Sequence, residues 1–291
     1  MLECVLVATM ERPMKPAELL DEAPQNSAAV GKPAAHGCYR RLLVVVREGS
    51  ALPVMAVDYV SAWATPDAVA EVASLPGSES SCDGTPQSPR GVSSADVATA
   101  DAVSCALLAR GVDAIESGTL KLAAGANAAQ SIGEVAHRWG ADIVLCDDRS
   151  VAHLAQAAAC NVLFLPTDGS HRFHVPPRRI FVASDESACA LGAVAEAQRV
   201  AGNNAELRRA YVSFEADGAS ASDPASTVLA AAHHGDNLAH AIVQAAREWG
   251  ADLLVLGTHG ATPRAVWRYG SVAAAVALVA DMPLLLVPAQ S

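Results

Sequence analysis

Lysine is nearly absent from this 291-residue chain: three of its 20 basic residues are Lys, and 31 acidic residues leave a formal charge of −11. Binding to a nucleic-acid backbone needs a basic footprint, so general nucleic-acid affinity is excluded. One local cationic site for an anionic ligand is not. Aromatic residues make up only 4% of the chain. Of the seven cysteines (4, 38, 82, 105, 146, 160 and 189), no two form a CxxC pair, so zinc-knuckle and thioredoxin-type chemistry is not indicated. HExxH, GxSxG, Walker A and GxGxxG are all missing, and nothing marks a Ser-His-Asp triad. Long apolar runs are missing as well. The most apolar stretch, residues 271–288, is interrupted by Asp281 and Pro283 and falls short of the roughly 20 residues a membrane span needs. Residues 1–10 lack a basic n-region, so no secretory leader is expected. These absences imply a cytoplasmic protein with reduced thiols and no membrane partner.

What is abundant is alanine, with 62 residues, which accounts for most of the mean hydropathy of +0.24. A length of 291 residues suits two domains at roughly 100–200 residues each. An internal repeat supports that division. Residues 125–142 (GANAAQSIGEVAHRWGAD) align without gaps on residues 235–252 (GDNLAHAIVQAAREWGAD). Arg40-Arg41 and the apolar run after them resemble Arg178-Arg179 and theirs, and residues 161–166 (NVLFLP) resemble residues 283–288 (PLLLVP).

Each copy reads as strand, helix, variable middle, helix, strand, helix, strand. Residues 42–46 and 180–183 are short continuous apolar runs, as in strands buried on both faces of a parallel sheet. Residues 127–139 and 237–249 read as helices, with Asn127 and Asn237 as N-caps and Gly140 and Gly250 at the C-caps. Ile132, Ala136 and Trp139, with Ile242, Ala246 and Trp249, form one apolar stripe in each. Alternating strands and helices imply an open α/β sheet with right-handed crossovers. Residues 1–37 read as a loose arm in which residues 5–9 could add an edge strand. Residues 75–94 read as a Ser/Pro/Gly-rich loop, and residues 167–177 as a linker.

The copies differ most near their ends. From the shared Asp to the final Pro is 24 residues in copy one (Asp142 to Pro166) and 36 in copy two (Asp252 to Pro288). The extra segment holds Gly257, Gly260 and Gly270-Ser271, in the pattern G-x2-G-x9-G-S. In an open α/β sheet, ligands sit beyond the carboxyl ends of the strands. Glycines there let backbone N–H groups approach an anion, and the following helix start offers more of them. Ser271 is a candidate N-cap and hydroxyl donor, and Arg264 and Arg268 are candidate phosphate contacts.

These residues resemble the universal stress protein family, in particular its tandem-domain members. The family signature is G-x2-G-x9-G-(S/T) after a strand of the type A-D-L-I-V-x-G-T. Copy two reads Ala251-Asp252-Leu-Leu-Val-Leu256-Gly257-Thr258-His259-Gly260, then Gly270-Ser271-Val272. The resemblance implies two tandem five-stranded parallel sheets of strand order 3-2-1-4-5, with helices on both faces. Residues 38–167 would form a degenerate domain and residues 178–291 an ATP-binding one. The copies would be related by a pseudo-twofold axis, with residues 161–165 pairing antiparallel with residues 284–287. It further implies a stress-related regulatory protein binding ATP with Mg²⁺ or Mn²⁺. Ala183, Asp185, Val212, Leu256, Gly257, His259, Gly260, Gly270, Ser271 and Val272 would surround the nucleotide. Asp185 would hold ribose or metal, and Val212 would touch adenine. The internal pair, or a homodimer, is the implied assembly.

Copy one departs from the signature. It has Asp147-Asp148 where the glycine loop should begin and Arg47 near the place of Asp185, so it is not expected to bind ATP in the family manner. Asp147-Asp148 as a cation site, His233-His234-His240 as a metal site and Cys189 as a reactive thiol are weighed against a polar turn, solvated His and ordinary packing. The plainer readings are preferred. Two other functions stay open: a slow ATPase or nucleotidyl-transfer enzyme, and a ligand-free interaction module.

Overall fold

The computed structural model describes residues 37–47, 53–75, 99–119, 128–147, 154–155, 158–166, 173–213, 227–230, 235–258 and 272–288. The first half carries β1 (Tyr39–Arg47), α1 (Val54–Trp63), β2 (Ala64–Leu75), α2 (Ala100–Ala109), β3 (Asp113–Thr119), α3 (Ala128–Trp139), β4 (Ile143–Cys146) and β5 (Asn161–Phe164). The second carries β6 (Arg179–Ser184), α4 (Ala188–Ala201), β7 (Glu206–Ser213), β8 (Thr227–Ala230), α5 (Gly235–Trp249), β9 (Leu253–Gly257), α6 (Val272–Val279) and β10 (Leu284–Val287).

The strands form one ten-stranded sheet, in the order β3-β2-β1-β4-β5-β10-β9-β6-β7-β8. All pairings within a half are parallel. Among the described residues the halves join through one antiparallel pairing, β5 with β10, where Leu284, Leu285 and Leu286 face Phe164, Leu163 and Val162. Each half keeps the expected order 3-2-1-4-5, and the expected antiparallel pairing fuses the two into one continuous sheet. Each half would otherwise present a row of unpaired backbone groups on an apolar strand, and the junction covers both.

The central strands are apolar throughout because both faces are covered. On one face α1, α2 and α4 pack over Leu42, Val44, Leu163, Val182, Val255 and Leu285. On the other, α3, α5 and α6 pack over Leu43, Val144, Phe164, Phe181, Leu254 and Leu286. Both cores run unbroken across the β5–β10 junction.

The repeated Trp-Gly-Ala-Asp and Arg-Arg residues build the same staple twice. Gly140 (φ +73°) and Gly250 (φ +74°) end α3 and α5 in the left-handed region. The N–H groups of Ala141 and Ala251 donate to Ala136 and Ala246 at 2.9 Å, closing a Schellman cap in each. The Asp142 carboxylate accepts the N–H groups of Arg40 and Arg41 at 2.8 and 2.9 Å. The Asp252 carboxylate accepts those of Arg178 and Arg179 at 2.9 and 3.1 Å. Arg41 and Arg179 reach back to the carbonyls of Trp139 and Trp249. The motif that reveals the repeat is thus a clamp at the amino end of the sheet, opposite the carboxyl ends of the strands.

Three expectations shift. α5 starts two residues before Asn237, so Asn237 lies inside the helix and does not cap it. Asn127, residues 1–36 and residues 76–94 lie outside the described residues. Leu165 lies beyond β5 but still donates to the Cys146 carbonyl at 2.9 Å.

Candidate functional site

In the second half the chain order reverses between β6 and β9, the place where an open α/β sheet leaves a crevice beyond its strand ends. Ala183 lies beside Leu256 there, and both are buried. Asp185 follows β6 directly and Gly257 ends β9. On the flanking strands, Val212 pairs with Leu229 through the backbone of β7 and β8, and Val287 pairs with Gly257. Val272 is the first residue of α6 and is half-buried. These candidate residues therefore gather at one end of one half of the sheet. His259, Gly260, Arg264, Arg268, Gly270 and Ser271 lie outside the described residues.

The turn from β6 into α4 is held by its own polar side chains. The Ser184 hydroxyl, almost fully buried, accepts the Glu186 N–H at 3.2 Å. The Asp185 carboxylate accepts the Ser187 N–H at 3.0 Å, an Asx turn. Ser187 then caps α4: its hydroxyl accepts the Ala190 N–H at 3.2 Å, and its carbonyl opens the helix by accepting the Leu191 N–H at 2.8 Å. Within this turn Glu186 sits at φ +61°, a conformation that costs a non-glycine residue energy and persists only where its surroundings impose it. Reading the sequence missed Ser184 and Ser187. A Ser just before an apolar-periodic run is a cap signal that could have found Ser187.

Gly257 has a packing reason of its own. Along β9 the odd positions Leu253 and Val255 face the α4 side of the sheet, while Leu254 and Leu256 face the other. Gly257 continues the odd series. A Cβ there would lie 2.9 Å from the Cys189 carbonyl oxygen and 3.2 Å from the Ala190 nitrogen, both backbone atoms of the first turn of α4. The missing side chain lets α4 seat against the strand end, so Gly257 serves helix packing in addition to anything it does for a ligand.

The other candidates are dispersed. Arg47 is the last residue of β1, at the position matching Asp185. Asp147 follows β4 at the position matching Gly257, and Asp148 lies outside the described residues. His240 is exposed on α5, and His233 and His234 are not among the described residues. No group of three His, Cys, Asp or Glu side chains among the described residues could hold a metal ion. Cys189 is a half-buried thiol in the first turn of α4. No helix among the described residues is long and apolar enough to cross a membrane.

The fold and the switch-point crevice define an open, doubly wound α/β protein. Residues 232–288, within the second half, match the model of the universal stress protein family. No curated protein matches the sequence. Among solved structures, the chain resembles a functionally unknown protein of Pseudomonas aeruginosa PAO1, with TM-score 0.57 and 16% identity over 88% of this chain and 94% of that one. It also resembles a universal stress protein of Archaeoglobus fulgidus DSM 4304, with TM-score 0.53 and 14% identity over 88% of this chain and 98% of that one. At such identities the likeness is one of fold.

Proposed function

We propose that the second half binds ATP, or another adenine nucleotide, beyond the carboxyl ends of β6, β7 and β9, in a cytoplasmic regulatory protein. The observation that carries this reading is the convergence of Ala183, Asp185, Leu256 and Gly257 at the switch point, directly before the G-x2-G-x9-G-S segment. Gly260, Gly270 and Ser271 cradle the phosphates, assisted by Arg264 and Arg268. Val212 meets the adenine, and His259 and Val272 close the site. Asp185 contacts ribose or a divalent cation. A single protein carboxylate is enough for Mg²⁺ or Mn²⁺ when phosphate oxygens and water complete the octahedron.

The site nominates no positioned general base beyond Asp185 and His259, so turnover is slow and binding is the function. ATP orders residues 260–270 and alters the surface offered to a partner, a switch of the population-shift kind. Equal hydrogen-exchange protection of that loop with and without ATP would refute the switch.

A second reading, a ligand-free interaction module, draws on the helix contact at Gly257, which explains that glycine with no ligand. One experiment separates the two. The chain is purified without added nucleotide and denatured, and released nucleotide is identified by chromatography, alongside Gly260→Val/Gly270→Val. About one equivalent of ATP from the parent and none from the variant supports binding. ADP indicates turnover. Nothing released, with no ATP binding by calorimetry, supports the interaction module.

A further inference from the structure

The strand pairing that joins the halves does not discriminate. β5 and β10 meet through Phe164, Leu163 and Val162 against three leucines, and any of these apolar residues would pair as well with a copy of its own strand. Something beside the strands must decide which edges meet.

A buried polar cluster flanks one side of the junction. Glu196 of α4, with its side chain 12% exposed, projects from the second half onto the first. Its carboxylate accepts the Tyr39 hydroxyl at 2.5 Å and the Asn161 amide at 2.7 Å, both from the first half. Arg199, one turn on in α4, donates to the same carboxylate at 2.5 and 2.8 Å. It also donates to the Cys38 carbonyl and lies over the Tyr39 ring, 4.4 Å from its centroid. The nearly buried carboxylate accepts four hydrogen bonds, two of them from the other half of the chain.

The pseudo-symmetric side has no such cluster. By the strand registers, Tyr39 corresponds to Pro177 and Asn161 to Pro283. The buried series Met55, Ala56 and Tyr59 of α1 matches Ala193, Val194 and Ala197 of α4, which places Asp58 at the position of Glu196 and Ser61 at that of Arg199. Asp58 pairs with Arg110 of its own half, and the Ser61 hydroxyl donates to the Val57 carbonyl of its own helix. Two second halves joined edge to edge would set each Glu196 against prolines, which donate nothing, and leave a desolvated carboxylate short of two partners.

We propose that the Glu196 cluster is the specificity determinant of this contact: it makes the central pairing heterotypic, so that β10 accepts β5 and rejects a copy of itself. Selectivity comes from what fails to pair in the wrong assembly as much as from what pairs in the right one. This inference is independent of the nucleotide reading.

The test refolds the full chain from denaturant at low and high protein concentration and reads the associated fraction by light scattering. High concentration is needed because the linker holds unlike halves together at a high effective concentration. Glu196→Leu removes the carboxylate, Tyr39→Phe removes one donor while keeping the ring, and Asp58→Ala changes the mirror position. The associated fraction at high concentration should rise at least threefold over the parent for Glu196→Leu, less for Tyr39→Phe and not at all for Asp58→Ala. Amides of residues 161–164 and 284–287 should stay protected from exchange in the associated species, since each edge is still paired. If Glu196→Leu does not fold, Tyr39→Phe alone decides. Equal association in the variants and the parent, an equal rise for Asp58→Ala, or exposed amides in those strands would overturn the proposal.

Discussion

The two halves share strand registers and diverge at one corner. Leu42 faces Ile143 in the first half as Ile180 faces Leu253 in the second, so Asp147 stands where Gly257 stands. Beside Gly257, α4 begins four residues after Ser184, and its first turn presses on the place a Cβ would occupy. In the first half Val46 is the counterpart of Ser184, and α1 begins only eight residues later, at Val54. Its N-cap position is Pro53, with no side-chain cap. The first half has a Cβ at the matching strand end, and residues 48–52, between β1 and α1, lie outside the described residues. Arg47 stands in the position of Asp185. Both halves nevertheless keep the clamp at the amino end of the sheet.

The clamp offers the largest test of that contrast. The Asp252 carboxylate is buried and accepts three backbone N–H groups, including that of His174 at 3.0 Å, whereas Asp142 is exposed and accepts two. Asp252→Ala should cost about 3 kcal/mol in urea unfolding and Asp142→Ala about 1 kcal/mol. Equal costs would mean that burial does not separate the two copies of the staple.

At the diverged corner, Gly257→Ala should cost about 1–3 kcal/mol, because backbone atoms of α4 must move to admit the methyl group. A neutral Gly257→Ala would remove the packing account of that glycine. Ser187→Ala should cost about 1 kcal/mol through loss of the α4 cap, and Pro53→Ser should restore part of a cap to α1. Both are read from the midpoint of chemical unfolding.

The smallest expected effect is one of pH. Glu71 of β2 has one carboxylate oxygen buried without a partner, and burial raises its pKa, opposed by Arg138. A raised carboxyl pKa means the ionised form opposes folding. The cost is present above the folded-state pKa and is relieved as pH falls through it. Glu71→Gln should therefore stabilise the chain at pH 7 and lose that advantage in acid. A pH-independent difference would contradict this assignment.

Much of the architecture was legible because it is written in periodicity and repetition. The apolar runs at β1, β4, β6 and β9 mark strands buried on both faces, and the gap-free repeat ending in Trp-Gly-Ala-Asp marks two helix ends capped by glycine. The fusion into one sheet was legible only through the family resemblance, since residues 161–164 and 284–287 are apolar in a way that suits any partner. The Glu196 cluster was not legible at all, because it joins residues 157 apart in sequence through side chains that follow no period. At the site, Ala183, Asp185, Leu256 and Gly257 came from motif and register together. The contact of Gly257 with Cys189 did not, because the packing of a helix start on a strand end leaves no mark in the sequence except the glycine itself.

Under the proposed function the second half binds nucleotide and the first does not. Calorimetric titration of the full chain with ATP and Mg²⁺ tests this most directly, with Asp185→Ala and Gly260→Val/Gly270→Val beside the parent. The account predicts one site per chain, weakened by the first variant and abolished by the second. Two sites per chain, or one site that survives both variants, would contradict it.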